Sequence, residues 1–375
     1  MRSKVKVGIP REIKDHEYRV AITPAGVKEL VSAGHQVFVE KDAGIGSSIP
    51  DDDFTTAGAK ILDRVEDVWA DSDLVLKVKE PVGEEYHRMR RGQTLFTYLH
   101  LAASRQCTQA ILDAGVDAVA YETVQLPNGS LPLLAPMSEV AGRMAPQVGA
   151  HCLERAQGGR GVLMGGVSGV YAAKVVVLGA GVSGMNAAAI ALGMQAEVLL
   201  LDKNIDKLRA SDRIYQGHLQ TVASNTYEIE RAVIDADVVI GAVLVPGARA
   251  PKLVTNDLVS RMKPGSVLID IAVDQGGCFE DSHPTTHSDP TFRVHESVFY
   301  CVANMPGAVP HTSTYALTNV TLPYVMELAN RGLREAVDRD PALALGVNAV
   351  GGVLTNQPVA EAHGMATVPL AEALS

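Results

Sequence analysis

Two ionisable side chains stand where buried strands should end, and together they could carry out acid–base chemistry. His100 directly follows the apolar run Leu95–Leu99, and an imidazole exchanges protons near neutral pH. Asp274 follows a second apolar run, Val267–Ile269, and its carboxylate could stabilise a protonated amine or share a proton with His100. Because a single polar residue at such a place can be purely structural, the pair is a hypothesis.

Cationic side chains near two other strands could bind the carboxylate of a small acid. Arg19 follows the first strand, and Lys77 and Lys79 flank Val78 at the end of an apolar run. Alternation along a strand places both lysines on one face, so the pattern does not separate them. A solvated strand end is the alternative explanation for these lysines.

A glycine-rich turn predicts a dinucleotide site. Gly179, Gly181 and Gly184 follow the strand Lys174–Leu178 and open a helix. In that context the first glycine permits a tight turn, the second lets the backbone approach a pyrophosphate, and the third allows close helix–strand packing.

The acidic residue that follows indicates which dinucleotide is bound. Asp202 ends the next strand, where a carboxylate accepts hydrogen bonds from the ribose hydroxyls and repels a 2′-phosphate. This favours NAD over NADP, although Lys203 and Lys207 lie nearby. Three further strand ends, 241–247, 270–274 and Asn304, should face the nicotinamide side of the same crevice.

The elements that must position these residues alternate between apolar strands and amphipathic helices. The expected fold class is α/β, with two doubly wound parallel-sheet (Rossmann-like) domains joined by long helices. Residues 1–130 plus 306–375 should form a discontinuous substrate domain, and residues 131–305 an NAD-binding Rossmann domain. The helices expected near the junctions are 138–157 and 312–331, the second with a kink at Pro323. No third set of strands is expected after residue 310, and the tail should pack back on the first domain.

Composition excludes several other classes of protein. The 375 residues are 47% hydrophobic and carry a net charge of -10, which favours a globular domain and argues against nucleic-acid binding. The four cysteines form no CxxC pair, as expected of a protein in a reducing cytoplasm. The N-terminal residues lack an apolar run, so no signal peptide is expected.

Two local patterns resemble sites that we do not expect here. The uncharged stretch 175–196 contains glycines and is better explained by a strand, a turn and a helix than by a membrane span. His283 and His287 are separated by Pro284, which disfavours a helical metal-binding pair, so no metal is expected.

Taken together, the motifs resemble those of the bacterial L-alanine dehydrogenases. The resemblance extends from residue 4 to about 330, through the segments VGIPREIKDHEYRVAITPAGV, LVLKVKEP, FTYLHLA, APMSEVAGRMA, VLGAGVSG, GAVLVPG, DIAVDQGGCFE and CVANMPGAVPHTSTYALTN. It implies NAD-dependent oxidative deamination of L-alanine to pyruvate and ammonium, and the reverse reaction.

The resemblance also implies roles for individual residues. Arg19 and Lys79 would bind the substrate carboxylate, and His100 and Asp274 would form the catalytic pair, meeting from different domains on either side of the nicotinamide ring. Cofactor contacts would come from Ser138, Val182, Ser183, Asp202, Lys207, Ser224, Val243, Leu244, Ile271, Val302, Asn304 and Met305. A homohexamer is implied, with long helices near the domain junction forming the dimer contact.

At two positions the chain departs from the pattern of the family. His283 stands where some members have a basic residue near NAD. Some members pair a glutamate with a histidine four residues on as a magnesium site, whereas here Arg331 follows Glu327, and a cation beside Arg331 is unfavourable.

Three rival functions share part of this evidence. The NAD-binding subunit of a proton-translocating transhydrogenase would need no proton acceptor at His100. A saccharopine-forming or opine-type dehydrogenase would need a larger acid pocket. A non-catalytic NAD-binding protein would leave Arg19, Lys79, His100 and Asp274 without a common purpose.

Overall fold

The computed structural model describes residues 4–243 and 250–375. The chain divides into two compact units, Met1–Pro136 with Val309–Ser375, and Met137–Ala308. The boundaries expected from the sequence, after residues 130 and 305, lie several residues before these limits. Each unit is described by itself below.

Strands and helices alternate along most of the chain. The strands are β1 (Lys6–Ile9), β2 (Gln36–Glu40), β3 (Lys60–Leu62), β4 (Leu74–Leu76), β5 (Thr94–Thr97), β6 (Asp117–Ala120), β7 (Lys174–Leu178), β8 (Glu197–Asp202), β9 (Gln220–Ala223), β10 (Val238–Gly241), β11 (Val267–Asp270), β12 (Thr291–Val294), β13 (Ser297–Tyr300), β14 (Val347–Val350) and β15 (Val353–Leu354). The helices are α1 (Pro24–Ser32), α2 (Asp51–Thr56), α3 (Val65–Asp71), α4 (Arg105–Ala114), α5 (Ala135–Cys152), α6 (Val182–Gly193), α7 (Ile205–Tyr215), α8 (Thr226–Ile234), α9 (Asn256–Ser260), α10 (Pro310–Arg339), α11 (Pro341–Gly346), α12 (Gln357–His363) and α13 (Leu370–Ala373).

The first unit contains a sheet whose main part is parallel. Its strand order is β15-β14-β6-β5-β4-β1-β2-β3, and the pairs from β6 to β3 are all parallel. The central strands are apolar on both faces, and β4 is buried along its whole length, as in parallel sheets covered by helices. Their carboxyl ends therefore meet at one edge, where candidate site residues begin.

The second unit repeats this plan with its own sheet. The strand order is β12-β13-β11-β10-β7-β8-β9, and every pair is parallel except that of the edge strand β12 with β13. The two predicted domains of parallel-sheet α/β architecture are thus confirmed. Within the part of the chain that the structure describes, none of the helices combines the length and apolar composition needed to cross a membrane.

The tail belongs to the first unit, but its two strands were not identified from the sequence. β14 pairs antiparallel with both β6 and β15 and so extends the first sheet. The expected position of the kink in the long helix was wrong. The long helix α10 has its non-helical residue at Gly332, with φ 73° and ψ 166°, and not at Pro323. The backbone at Pro323 keeps helical angles, whereas the positive φ at Gly332 is one that only glycine reaches without strain.

Candidate active site

His100 lies at the carboxyl edge of the first sheet, just beyond β5. Its backbone is left-handed (φ 46°, ψ 38°), and it begins the short 3₁₀ turn Leu101–Ala103. The His100 amide donates to Oε1 of Glu122 at 2.6 Å, and the Leu99 amide donates to the same carboxylate at 3.2 Å. The His100 side chain remains 40% exposed. The imidazole is thus anchored through its backbone while its ring is open to reactants.

An aromatic layer supports the His100 ring. The Tyr98 ring stacks on it at a centroid distance of 5.9 Å with an interplanar angle of 8°. The Tyr98 hydroxyl donates to the Leu133 carbonyl at 2.6 Å. Burial raises the pKa of Tyr98. The nearby Arg19 guanidinium acts in the opposite direction, but its effect is smaller. Tyr98 therefore acts as a neutral, fixed surface against the His100 ring.

Arg19 is almost fully buried and is fixed by an adjacent carboxylate. Its Nε and one terminal nitrogen donate to the two oxygens of Glu17, each at 2.6 Å. Burial opposes the charge of Arg19, but attraction to Glu17 leaves its pKa raised. The guanidinium therefore stays charged, and the bidentate pair fixes its plane.

The structure separates the two lysines that alternation could not. Lys77 is fully buried, and its ammonium lies 3.0 Å from Glu12 and 2.8 Å from Glu85. Although burial opposes its charge, these carboxylates raise the pKa of Lys77. Lys79 is only half-buried. The Lys77 ammonium is thus enclosed by acids, whereas the binding of a ligand by Lys79 stays a prediction.

Glu12 connects the buried ion cluster to Lys79. Its Oε1 accepts from the backbone amide of Val78 at 2.6 Å and from that of Lys79 at 3.4 Å, while Oε2 binds Lys77. The Thr97 hydroxyl donates to the Lys79 carbonyl at 3.0 Å. The main chain at Lys79 is thus fixed to two neighbouring strand ends, β1 and β5.

The glycine turn of the second unit is shaped as a dinucleotide loop requires. Gly179 has φ 106°, and an added Cβ there would lie 2.8 Å from the Ala242 carbonyl oxygen. An added Cβ at Gly184 would lie 1.7 Å from the Gly179 carbonyl oxygen, whereas one at Gly181 would meet nothing within 4 Å. Gly179 and Gly184 therefore serve close packing, and the open space at Gly181 is where a ligand could approach the backbone.

Asp202 is tied to the same turn. One carboxylate oxygen accepts from the Ala180 amide and the other from the Asn204 amide, both at 2.7 Å. Lys207 Nζ lies 3.9 Å away. The carboxylate thus has a structural role in the turn as well as lone pairs that could receive ribose hydroxyls.

The remaining expected cofactor residues lie in the second unit at several strand ends and helix starts. Val182 and Ser183 begin α6, and Gly142 of α5 is packed so closely that an added Cβ would lie 2.2 Å from the Ser183 carbonyl. Ser138, one turn earlier in α5, is therefore near this helix start. Ser224 follows β9, Val243 follows β10, Ile271 follows β11, and Val302, Asn304 and Met305 follow β13. Leu244 lies outside the described residues.

Asp274 lies in a loop organised by another aspartate. It is exposed in the 3₁₀ turn Val273–Gln275. Asp270, fully buried at the end of β11, accepts from the amides of Ala272 at 3.0 Å and Cys278 at 2.7 Å and from the Ser282 hydroxyl at 2.5 Å. Asp270 therefore sets the path of the chain that carries Asp274. His100 and Asp274 belong to different units, so their meeting remains a prediction.

Several important carboxylates were missed from the sequence. Glu12, Glu17 and Glu122 each bind a residue near the predicted site. Glu122 follows β6, the parallel neighbour of β5, so the rule that strand ends share an edge could have identified it. Glu17 is only two residues from Arg19, but no sequence pattern indicates that their side chains pair.

Neither metal pattern in the sequence gives a cluster of ligands in the structure. Across residues 4–243 and 250–375, no group of three or more His, Cys, Asp or Glu side chains could hold a metal ion. Arg331 instead pairs with Glu327 at 2.6 Å and with Glu335 at 2.7 Å. The His283 ring lies against Phe292 at a centroid distance of 3.8 Å.

Comparison with known proteins finds one family model for the N-terminal part of the chain and another for the C-terminal part. The family model described as "Alanine dehydrogenase/PNT, N-terminal domain" matches residues 8–141, and "Alanine dehydrogenase/PNT, C-terminal domain" matches residues 145–357. An alanine dehydrogenase of Mycobacterium tuberculosis (strain CDC 1551 / Oshkosh) is 62% identical over 99% of both chains.

Solved structures give the same relationship. A structure titled L-alanine dehydrogenase matches with a TM-score of 0.93 and 51% identity, covering 96% of this chain and 99% of the other. A transhydrogenase from Sinorhizobium meliloti matches with a TM-score of 0.80 and 26% identity, covering 93% of this chain and 99% of the other. The chain therefore belongs to the alanine dehydrogenase/PNT family.

Proposed function

We propose that this protein is an NAD-dependent L-alanine dehydrogenase, which converts L-alanine, NAD⁺ and water to pyruvate, ammonium, NADH and a proton, and catalyses the reverse reaction. The observation that carries this proposal is the 62% identity, across 99% of both chains, to a protein named alanine dehydrogenase. The residues at the sheet edges supply the chemistry that such a reaction needs.

Arg19 and Lys79 bind the substrate carboxylate. Because Arg19 is already paired with Glu17, that pair is neutral as a whole, and its donors contribute direction more than net charge. Lys79 adds a second cationic donor to the carboxylate. Fixation of the Lys79 backbone by Glu12 supports this role, because a preorganised donor loses less freedom on binding.

His100 transfers protons during the reaction, and Asp274 assists it. The ammonium group of alanine first gives up a proton to water, which is the proton released in the overall reaction. Loss of the Cα hydrogen with its electron pair then turns the neutral amine into an iminium. Water adds to that carbon while His100 removes one of its protons, and the resulting carbinolamine expels ammonia as the proton moves to nitrogen. Asp274 stabilises the cationic nitrogen during these steps.

Residues of the second unit would hold NAD, which when bound supplies the acceptor for the hydride. Amides at the start of α6 bind the pyrophosphate, and the open backbone at Gly181 fits this role. Asp202 receives the ribose hydroxyls and disfavours a 2′-phosphate. The proposed contacts are Ser138, Gly179, Gly181, Val182, Ser183, Gly184, Asp202, Lys207, Ser224, Val243, Leu244, Ile271, Val302, Asn304 and Met305.

The same proposal covers the wider organisation of the enzyme. The first unit, Met1–Pro136 with Val309–Ser375, is the substrate domain, and the second unit, Met137–Ala308, is the NAD domain. The enzyme is a cytoplasmic homohexamer without nucleic-acid or membrane partners. Exposed apolar side chains between Leu163 and Tyr171, the latter 95% exposed, support self-association because such patches are usually covered. Light scattering of the purified protein measures the oligomer size.

The decisive experiment is an NADH-absorbance assay with NAD⁺ and a panel of amino acids. We expect NADH formation with L-alanine, little with L-lysine, and a lower rate with NADP⁺. The same preparation is tested for hydride transfer from NADH to an NADP⁺ analogue without alanine, the reaction of the transhydrogenase alternative. Activity in the second assay alone would contradict the proposal.

A further inference from the structure

Glu122 stands where it can control the imidazole of His100. Thr97 of β5 is in register with Ala120 of β6, and the 3₁₀ turn Tyr121–Thr123 continues from β6. This parallel register brings Glu122 beside the chain that runs on from β5 to His100. The contact is therefore built into the sheet and does not depend on a long flexible loop.

The Glu122 carboxylate contacts both the backbone and the ring side of His100. Its Oε1 accepts from the His100 amide at 2.6 Å, and both oxygens accept from the Leu99 amide at 3.2 Å. The same Oε1 lies 3.9 Å from His100 Nδ1. This last distance is too long for a hydrogen bond, so the carboxylate acts on the ring through its charge.

The backbone at His100 needs such support. A left-handed conformation with φ 46° is unfavourable for any residue that carries a Cβ. Charge-assisted hydrogen bonds from consecutive amides to one carboxylate stabilise it. The Glu122 side chain is itself only 15% exposed, so water screens its charge little.

We propose that Glu122 is the positioning residue of His100, holding the backbone of His100 and orienting its ring so that Nδ1 faces the carboxylate and Nε2 faces the substrate. The proposal rests on the proposed function, since it assigns His100 to proton transfer. A carboxylate near Nδ1 favours the neutral tautomer that carries its proton on that nitrogen, which leaves the lone pair of Nε2 to accept a proton.

Substitution by glutamine separates the charge of Glu122 from its backbone role. Glu122→Gln keeps an oxygen that can accept from the amides of Leu99 and His100 but removes the charge. We expect kcat for alanine oxidation to fall roughly 10- to 100-fold, a part of the gain attributed to general acid–base catalysis. KM for alanine and Kd for NADH should change less than about twofold.

The matched control is Glu84→Gln, which removes the same charge from an exposed position of the same unit. We expect wild-type kcat from it. A second comparison is Glu122→Asp, which keeps the charge on a shorter side chain and should retain more kcat than Glu122→Gln or Glu122→Ala. If the glutamine variant does not fold, the proposal is tested by whether Glu122→Asp has a higher kcat than Glu122→Ala.

A double-mutant cycle distinguishes action through His100 from a general effect. In a His100→Ala background, Glu122→Gln should cause no further loss of kcat, because residues that act as a unit are non-additive. Wild-type turnover in Glu122→Gln, or full additivity in the cycle, overturns the positioning proposal. If the unmutated protein fails to oxidise alanine, it is the proposed function that fails.

Discussion

At the scale of single residues, each of the three basic residues proposed for the site in the first unit lies beside a glutamate that accepts a hydrogen bond from its backbone amide. Glu17 does this for Arg19 at 3.2 Å, Glu12 for Lys79 at 3.4 Å, and Glu122 for His100 at 2.6 Å. The backbone of each of these residues is thus held in place by a glutamate and does not need a bound substrate to fix it. Such preorganisation is what a site needs before its ligand arrives.

Removing the His100 imidazole tests the residue proposed to transfer protons. We expect His100→Ala to lower kcat by about 10²-fold or more. NADH affinity should be unchanged, since the predicted cofactor residues lie in the other unit. Steady-state kinetics and NADH fluorescence titration measure the two effects. Near-normal turnover would refute the assignment.

Substitution of the two lysines beside Val78 should affect different properties, substrate binding for Lys79 and stability for Lys77. Lys79→Ala should raise KM for alanine at least about tenfold with little loss of stability. Lys77→Met leaves Glu12 and Glu85 as buried, uncompensated carboxylates and should cost about 3–5 kcal/mol of unfolding free energy. Urea denaturation and alanine titration of both variants check the contrast, which an equal effect of the two substitutions on KM would contradict.

Asp202 should affect cofactor choice and cofactor affinity together. Its carboxylate holds the Ala180 amide in the glycine turn and is expected to meet the ribose. Asp202→Ala should therefore weaken NAD binding and also erode the preference for NAD over NADP. The ratio of kcat/KM for the two cofactors is the measurement, and an unchanged ratio argues against the ribose contact.

At the scale of elements, the alternation of apolar runs and helices was enough to predict both parallel sheets and the places where polar residues leave them. The predicted strand Lys174–Leu178 has those bounds in the structure. The pattern could not show which polar side chains pair, because Glu12 meets Lys77 across 65 positions of sequence. That contact depends on strand register, which a single sequence does not display.

The helix that follows the glycine turn offers a prediction with an internal control. In α6, Gly184→Ala places a Cβ 1.7 Å from a backbone oxygen, whereas Gly193→Ala meets nothing within 4 Å. We expect the first change to destabilise the second unit and abolish NADH binding. The second should leave binding intact and raise helix stability by up to about 1 kcal/mol. Thermal melts and NADH titration compare them, and equal behaviour would contradict close packing at Gly184.

At the scale of the whole molecule, buried thiols link stability to pH. Burial raises the pKa of Cys107, Cys278 and Cys301 to about 12, well above the usual thiol value of about 8.5. The folded protein therefore keeps protons that the unfolded chain releases. Their stabilising contribution is complete below the unfolded pKa and is lost as the pH rises towards 12.

We therefore expect the unfolding free energy to fall above about pH 9, by up to about 1.4 kcal/mol per pH unit for each thiol. Urea titrations under reducing conditions at about pH 8 and about pH 10 measure the slope. Cys107→Ala removes one titrating group, so its slope should be shallower. Equal stability of the wild type at both pH values would contradict the burial of these thiols.

The strand β14 has a consequence for how the protein is made. It adds to β6 of the first sheet, yet more than two hundred residues, including the entire second unit, leave the ribosome between the two. The second unit can therefore complete its sheet during translation, while β6 waits with an unpaired edge until the last segment emerges. Nascent chains arrested before residue 347 should thus expose that edge to chaperones.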